Sequence, residues 1–522
     1  MKRLIILLSA FSLISPATSQ SCIDVGINLD RELNSLMLSN VMLMGERWLA
    51  LDGSGKNGYT FMDFNRFRPC NGWVRYFNSP CDDYSPTYQG TYWAKHADGL
   101  FHGQIDYFDL MVKNKRVTPS GYPLSIPMTM PTADSVGEVT VISLRRQINM
   151  PPNYPTGDYS KPWVLRFKGK GNFDLSDMVD AIIRRTSNVQ KLTGSYTIVS
   201  TGGSARIELQ LKPGRKNFIF NIDISDPSDP LRDFELLYPG TEALVDAGNP
   251  INPEFMDRMK NFKVIHFREC MGATTYKELA ADPTDPLFKY LTAQVNWEER
   301  VTPEWYWQNS RRGMALEYVV AICNQARINP YISLPFCASQ QYCREAGKML
   351  MQTLDPELIC YIELGWNMMF WDGNGEYGRN NGFYFFNQVS KTIYSGLGSI
   401  EATGAYLNDM FRALGEGAGP TNAGRRLKRI ASTWGTYEDV NARQLNYIDP
   451  QNWEFMPDTW NLAWEDANET CNGEPNFRQQ LIDYWNAHPG DQQGFNALFL
   501  KVLRNNFKYC TDKWTINNRL AK

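Results

Sequence analysis

Histidine is scarce: four in 522 residues leave little material for a histidine-built metal centre. No Cys-x-x-Cys pair occurs, so the ligand spacing of a structural zinc site is missing too. There is no Gly-x-Ser-x-Gly, which removes the nucleophile elbow of an α/β-hydrolase. Charge of one sign is not in excess, with 53 Lys+Arg against 56 Asp+Glu and a net charge of -3, which excludes a strongly basic nucleic-acid footprint. After the first 20 residues no apolar run is long enough to span a bilayer; Ala315 to Cys323 is the best, and Glu317 interrupts it. A repeat of fixed period, a long Asp run and low-complexity tracts are all missing, so neither a solenoid nor a mineral-binding acidic tract is expected. Neither a cofactor nor a metal is implied.

What is present is an ordinary globular composition, 43% hydrophobic and 21% charged, in a length that suits two or three domains or one elaborated barrel. Aromatic residues reach 13%, including 15 Trp. Residues 1–20 have the layout of a signal peptide: Lys2 and Arg3, an apolar stretch from Leu4 to Ile14, the breaker Pro16, and small residues at Ala17-Thr18-Ser19. The expected localisation is therefore secreted and extracellular. Without Lys2 and Arg3 the 53 bases become 51 against 56 acids. All ten Cys follow this leader, and an even count in an oxidising compartment suggests disulfides. Cys70 and Cys81 flank a Pro- and Asn-rich loop, Cys471 and Cys510 bracket C-terminal helical sequence, and Cys337 and Cys343 straddle a helix start. Cys360 lies mid-strand and is expected to be a buried small hydrophobe. Asn468-Glu469-Thr470 is an N-glycosylation sequon, as a secreted glycoprotein would carry.

The pattern divides the mature chain in three. Residues 21–136 look irregular, apart from one short strand near 25–29. Residues 137–240 are β-rich. Ile207, Leu209 and Leu211 alternate with Glu208 and Gln210, and Phe218, Phe220, Ile222 and Ile224 with Ile219, Asn221 and Asp223; such strands with Gly-rich turns predict a β-sandwich. From 241 to 522 short apolar strands alternate with amphipathic helices. Asn252-Pro253 starts one helix, Lys263–Phe267 is a strand, a helix follows Gly313, Tyr331–Pro335 is a strand, and Ser339–Thr353 is a helix. Leu358–Leu364 is a strand, a long helical stretch covers about 376–414, and Leu427–Ser432 is a strand. This alternation predicts an α/β fold with parallel strands, of (β/α)8-barrel type, behind an N-terminal β-sandwich domain. Residues 24–29 would supply an extra barrel strand. The two Asp-Pro-x-Asp-Pro segments, at 226–230 and 282–286, are turns. Gly415-Glu-Gly417-Ala-Gly419-Pro420 is Gly-rich but lacks a phosphate-binding Lys, and is expected to be a hinge or loop between helix and strand. Arg425-Arg426-Leu-Lys428-Arg429 is a basic run that suits a solvated face or contact with an anionic glycan.

In a parallel barrel, chemistry sits at the C-terminal strand ends. Three such ends stand out: His266 with Arg268 and Glu269; Phe336-Cys337; and Glu363-Leu-Gly-Trp366-Asn367, followed by Trp371 and Asp372. A strand-end Glu beside Asn and Trp suits sugar chemistry, in which one carboxyl protonates the leaving oxygen and a second attacks or activates water. Indole faces can stack on the apolar faces of sugar rings, and Trp305, Trp307, Trp366 and Trp371 are candidates. A structural alternative is that Glu363 pairs with a base such as Arg268, and that the Trp cluster is core packing.

The ordered series Asp226-Pro-Ser-Asp-Pro-Leu-Arg232 with Tyr238-Pro-Gly240, Phe262–Phe267, Gly313–Val320 with Asn324, Asn329–Pro335 and Leu358–Asn367 resembles secreted glycoside-hydrolase-like barrels. These are mostly bacterial, often labelled cellulose-binding and related to the cellulase-type (β/α)8 clan. The resemblance covers roughly 220–435, with a weaker echo at Gly26–Leu29 and Gly169–Gly171. It implies carbohydrate contacts from His266, Trp366, Asn367, Trp371 and Asp372. The departures matter as much. The family strand ends in Glu-Tyr-Ser-Asn-Glu-Val-Trp-Asn, whose Asn-Glu pair supplies the acid/base. Aligned without gaps from Glu363, those positions hold Trp366 and Asn367; aligned on Trp-Asn instead, the pair is deleted, and either way the expected acid is missing. The family Arg on the earlier strand is His266 here, and the family His after the Leu-Pro strand is Phe336. Glu438, Glu454 and Glu465 lie in loop- or helix-like sequence, which gives no clear strand-end nucleophile. Three functions stay open: a secreted polysaccharide-binding barrel with a degenerate active site, an active glycoside hydrolase using Glu363, and a structural protein of an extracellular or mineral-associated matrix.

Overall fold

The computed structural model describes residues 26–29, 36–45, 48–51, 62–63, 116–131, 138–149, 159–215, 217–268, 270–271, 294–308, 313–365, 386, 389–431, 443–449, 477–491, 493–495 and 497–498. The leader, Cys70, Cys81, Trp366, Asn367, Trp371, Asp372, Asn468, Cys471 and Cys510 lie outside them. In chain order the strands are β1 (Gly26–Leu29), β2 (Trp48–Leu51), β3 (Met62–Asp63), β4 (Met128–Pro131), β5 (Glu138–Val141), β6 (Ser143–Asn149), β7 (Trp163–Asp174) and β8 (Val179–Arg185). There follow β9 (Val189–Lys191), β10 (Thr197–Leu211), β11 (Asn217–Ser225), β12 (Arg232–Leu237), β13 (Val264–Phe267), β14 (Asn329–Leu334), β15 (Cys360–Leu364) and β16 (Leu427–Arg429). The α-helices are α1 (Glu242–Asp246), α2 (Pro253–Met259), α3 (Leu316–Ala326), α4 (Gln340–Thr353), α5 (Ser399–Ala418) and α6 (Phe477–Ala487).

The antiparallel region is one nine-stranded sheet with the path β3-β2-β6-β11-β7-β10-β8, in which β12 also pairs with β7 and β9 with β10; β4 and β5 form a separate pair. It takes in β2 and β3, from a segment whose sequence looks irregular. Those strands are only four and two residues long, and too short to display a period. Strand β7 alternates buried and less buried positions along its length. The sequence suggests a strand from Trp163 to Phe167 that ends at Gly169, but β7 runs on through Gly169 and Gly171. Both glycines have positive φ, and a Cβ on either would collide with a backbone carbonyl oxygen, of Pro230 and Ile224 respectively. Glycine here lets the 226–231 turn close on the strand instead of stopping it.

The second sheet is parallel throughout, in the order β1-β13-β14-β15-β16. The expected pairing of the 24–29 segment is present as β1 on β13. Helices α3, α4 and α5 lie in the connections between successive strands, as parallel pairing requires. Capping follows the sequence signals: Asn252 accepts from Glu254 N at the start of α2 and Ser339 from Tyr342 N at the start of α4. The strands are apolar on one face only. Ile265, Phe267, Ile332, Leu334, Ile362, Leu364 and Leu427 are buried in one core with the inward sides of the helices. A second core, around Trp48, Trp163, Phe173, Phe220 and Phe234, fills the antiparallel region. Asn40 ties the 36–45 segment to the antiparallel region: its side-chain oxygen accepts from Met42 N and from Leu236 N on β12.

The helix expected over 376–414 is interrupted, because the chain turns at 393–398 before α5 begins. Gly415 and Gly417 are not a hinge. They lie in the last turns of α5, and Gly419, with positive φ, ends it. A Cβ on Gly417 would strike the Arg344 carbonyl oxygen of α4, and one on Gly347 the Leu414 carbonyl oxygen of α5. The two glycines therefore set how closely these helices approach. Replacing Gly by Ala in a helix ordinarily gains about 1 kcal/mol, whereas forcing a methyl against fixed backbone costs about 1–3 kcal/mol. Gly417→Ala is accordingly expected to lower stability in urea denaturation. A gain in stability would show that α4 and α5 are not in this close contact.

Candidate functional site

The face of the parallel sheet opposite the helices is polar. Side chains alternate along each strand, and parallel register aligns them across strands. Asn28, His266, Tyr331, Tyr361 and Lys428 fall in one row. Two residues further along, Ser333 and Glu363 are register partners.

These positions bring Asn28, His266, Tyr331, Ser333 and Glu363 into one hydrogen-bonded group. His266 Nδ1 lies 3.0 Å from Asn28 Oδ1. Its Nε2 lies 2.8 Å from Ser333 Oγ and 3.2 Å from Glu363 Oε1. Tyr331 stacks on the imidazole, with centroids 3.9 Å apart and planes 13° from parallel, and its hydroxyl donates to Glu363 Oε2 at 2.9 Å. Ser333 Oγ donates to Glu363 Oε1. Ser333, His266 and Glu363 are buried, Glu363 with 3% of its surface exposed. Both oxygens of the carboxylate thus receive an O–H donor, and both ring nitrogens of His266 face acceptor oxygens. Satisfaction of this kind is what makes a buried ionisable group tolerable.

The arrangement limits the chemistry. A general acid needs its carboxyl within reach of a substrate oxygen, and the Glu363 oxygens are directed into the protein's own donors. A serine nucleophile would give its proton to an imidazole oriented from the opposite nitrogen. Ser333 instead gives its proton to Glu363, lies on the same nitrogen as the acid, and is fully buried. Among the described residues no group of three or more His, Cys, Asp or Glu could hold a metal ion.

Several candidates from the sequence are placed differently. Glu363 is bonded to His266, Tyr331 and Ser333, so the polar group anticipated around Arg268 is built on His266 instead. Trp307 is no sugar platform: it is buried in the antiparallel core, and its indole N–H donates to Gly45 O at 2.6 Å. Half-buried Trp305 packs against that same core and lies 5.6 Å from the Tyr306 ring. Of the basic run, Arg426 donates to the Leu354 and Asp355 carbonyls, Lys428 to Gly424 O, and buried Arg429 to Phe411 O. These cations tie backbone together. Asn28, Tyr331 and Ser333 were not singled out from the sequence; the available signal was polar residues at alternate positions of otherwise apolar strands.

The expected Cys337–Cys343 bond is not formed. Both are buried thiols, as are Cys270, Cys323 and Cys360. Cys337 precedes the Ser339 cap, while Cys343 lies in the first turn of α4, on the buried side with Tyr342 and Ala346. Cys360 has the buried mid-strand setting expected of it. Burial pushes the Cys323, Cys343 and Cys360 thiols well above the ordinary range, and a protonated thiol is a poor nucleophile.

Comparisons with family profiles, curated proteins and solved structures return no match.

All five of these cysteines are expected to resist maleimide labelling in the folded protein and to label once it is denatured without reductant, as read by peptide mass spectrometry. Failure of Cys337 and Cys343 to label after denaturation would show that they are bonded.

Proposed function

We propose that this chain is a secreted, glycoside-hydrolase-like protein that binds a polysaccharide and hydrolyses it little or not at all. In this proposal the five parallel strands belong to a (β/α)8-type barrel, the antiparallel region is its β-sandwich neighbour, and the glycan meets the barrel beyond the C-terminal end of β15. Trp366, Asn367, Trp371 and Asp372 follow that strand in sequence and are the proposed contacts, with His266 held behind them. Disulfides among Cys70, Cys81, Cys471 and Cys510 and a glycan on Asn468 belong to the same proposal.

One observation carries the non-hydrolytic part: Glu363 is buried and both its oxygens accept hydrogen bonds from neighbouring side chains. Hydrolysis needs two positioned carboxyls. The second, in the related barrels, stands where this sequence has Trp366 and Asn367. Loss of general acid catalysis alone removes about 10²–10⁴-fold in rate. Binding asks for less, since indole faces can stack without any proton transfer. The position of Glu363 on a polar sheet face at a strand end favours a second reading, that of an active hydrolase.

Pull-down on insoluble polysaccharides, combined with reducing-sugar release from β-glucans and chitin, separates these. Wild type is expected to bind with a Kd from millimolar to micromolar and to release no sugar above background. Trp366→Ala should weaken binding about 2–10-fold, the loss of one stacking contact. Turnover that Glu363→Gln abolishes would establish the hydrolase. Absence of binding to every glycan, with Trp366→Ala silent, would favour the matrix protein.

A further inference from the structure

A cleft of about 480 Å³, lined by none of the residues bonded around Glu363, opens where β7 and β12 of the antiparallel sheet meet the segment leading into α3. Pockets of this size at the junction of two structural units are common ligand sites. Its wall carries a backbone irregularity. Between Arg232 and Glu235 the pairing of β12 with β7 slips by one residue, and within the slip Asp233 has φ 54°, one of two non-glycine residues with positive φ among those described. Bulges re-aim side chains and are over-represented beside functional sites, and left-handed backbone at a non-glycine residue costs about 1 kcal/mol or more. Here the bulge sets the Asp233 carboxylate on the cleft wall, where Lys168 Nζ lies 3.2 Å from it and Ser120 Oγ donates to it at 3.0 Å.

The charges of the cleft select among ligands. Lys168 is paired with Asp233, and Arg166 with Glu235 at 2.7 Å and with Asp246. Exposed Glu304 adds a carboxylate at the rim. An anionic ligand would meet three carboxylates, and a cationic one would meet Lys168 and Arg166. A neutral, hydroxyl-rich ligand meets no such opposition. It can donate to lone pairs of Asp233, Glu235 and Glu304 and accept from the remaining Lys168 protons and from Ser204. Lys168 is 51% and Asp233 34% exposed, so these groups are open to solvent. We infer that this cleft is a second saccharide-binding site, distinct from the parallel-sheet face and organised by the bulged Asp233. The inference borrows from the proposed function only the ligand class; the residues are separate.

Calorimetric titration of the full-length protein tests it, with neutral cello- and chito-oligosaccharides and with glucosamine and uronate oligomers as charged counterparts. Two cleft variants are informative. Ser204→Trp places bulk in the cleft from an exposed position. Asp233→Asn removes the charge while keeping a residue that tolerates the left-handed backbone. Neutral oligomers should bind wild type. Ser204→Trp should weaken binding at the cleft at least about tenfold and Asp233→Asn about 3–10-fold, the difference between a charge-assisted and a neutral hydrogen bond, with circular dichroism and Tm unchanged. Binding that survives both variants but falls with Trp366→Ala overturns the cleft and leaves the parallel-sheet proposal standing. Binding lost in both cleft variants and intact in Trp366→Ala establishes the cleft and removes that proposal. Preference for either charged oligomer, or no binding of any oligomer by wild type, also overturns the inference.

Discussion

The need to satisfy a carboxylate buried on the polar face of the parallel sheet organises this part of the molecule. An isolated ionised carboxylate in the interior is costly, and one accepting several hydrogen bonds is not. Glu363 obtains its bonds from residues on neighbouring strands, Tyr331 and Ser333 on β14 and His266 on β13, and His266 reaches on to Asn28 on β1. Four strands are thereby tied in one register. Because strand side chains alternate with period two, slipping any of these strands by one residue would turn its polar member into the helix-facing core. The same bonds that fix the register occupy both carboxylate oxygens, so the structural account and the functional proposal rest on one set of contacts.

The two sheets solve the burial problem differently. The antiparallel region encloses a ring-rich core in which Phe173, Phe220 and Phe234 lie about 5 Å apart. The guanidinium of fully buried Arg146 lies over the Trp48 and Tyr306 rings. Tyr306 comes from the segment before α3, so the aromatic run 305–307 fastens the α/β part to the antiparallel core. Sequence alone invites a different use for these rings, because an indole is equally suited to a core and to a sugar. Long-range pairing decides between them, and here it brings Trp307 to Gly45 O.

Much of the fold was legible because its signals are local. Period-two alternation in 207–211 and 218–222, the caps at Asn252 and Ser339, and the short apolar strands around Ile265, Ile332 and Ile362 are each set by a few adjacent residues. The missed features depend on contacts far along the chain. β2 is a strand because β6 lies beside it, and β3 because β2 does; Gly169 and Gly171 permit a close approach by the 224–231 segment, and Gly417 is helical because Gly-rich sequence allows α4 and α5 to pack. Glu363 and His266 were identifiable as strand-end residues. Their link and the other members of the group were not, since Asn28 and Ser333 lie 238 and 67 residues from His266 along the chain and Tyr331 lies 32 from Glu363. The Cys337–Cys343 expectation failed for a related reason: nearness in sequence across a helix start does not set two side chains facing each other.

The central claim is that Glu363 is held by His266 as part of the sheet and is not presented for catalysis. A double-mutant cycle with His266→Ala, Glu363→Ala and the double variant, read as unfolding free energies in urea, tests it most directly. Removing one partner of a buried pair typically costs about 3–5 kcal/mol, and contacting residues couple by about 0.5–3 kcal/mol. The account predicts that each single variant is strongly destabilised and that the two couple by more than about 1 kcal/mol. Additive effects, with Glu363→Ala as stable as wild type, would contradict it.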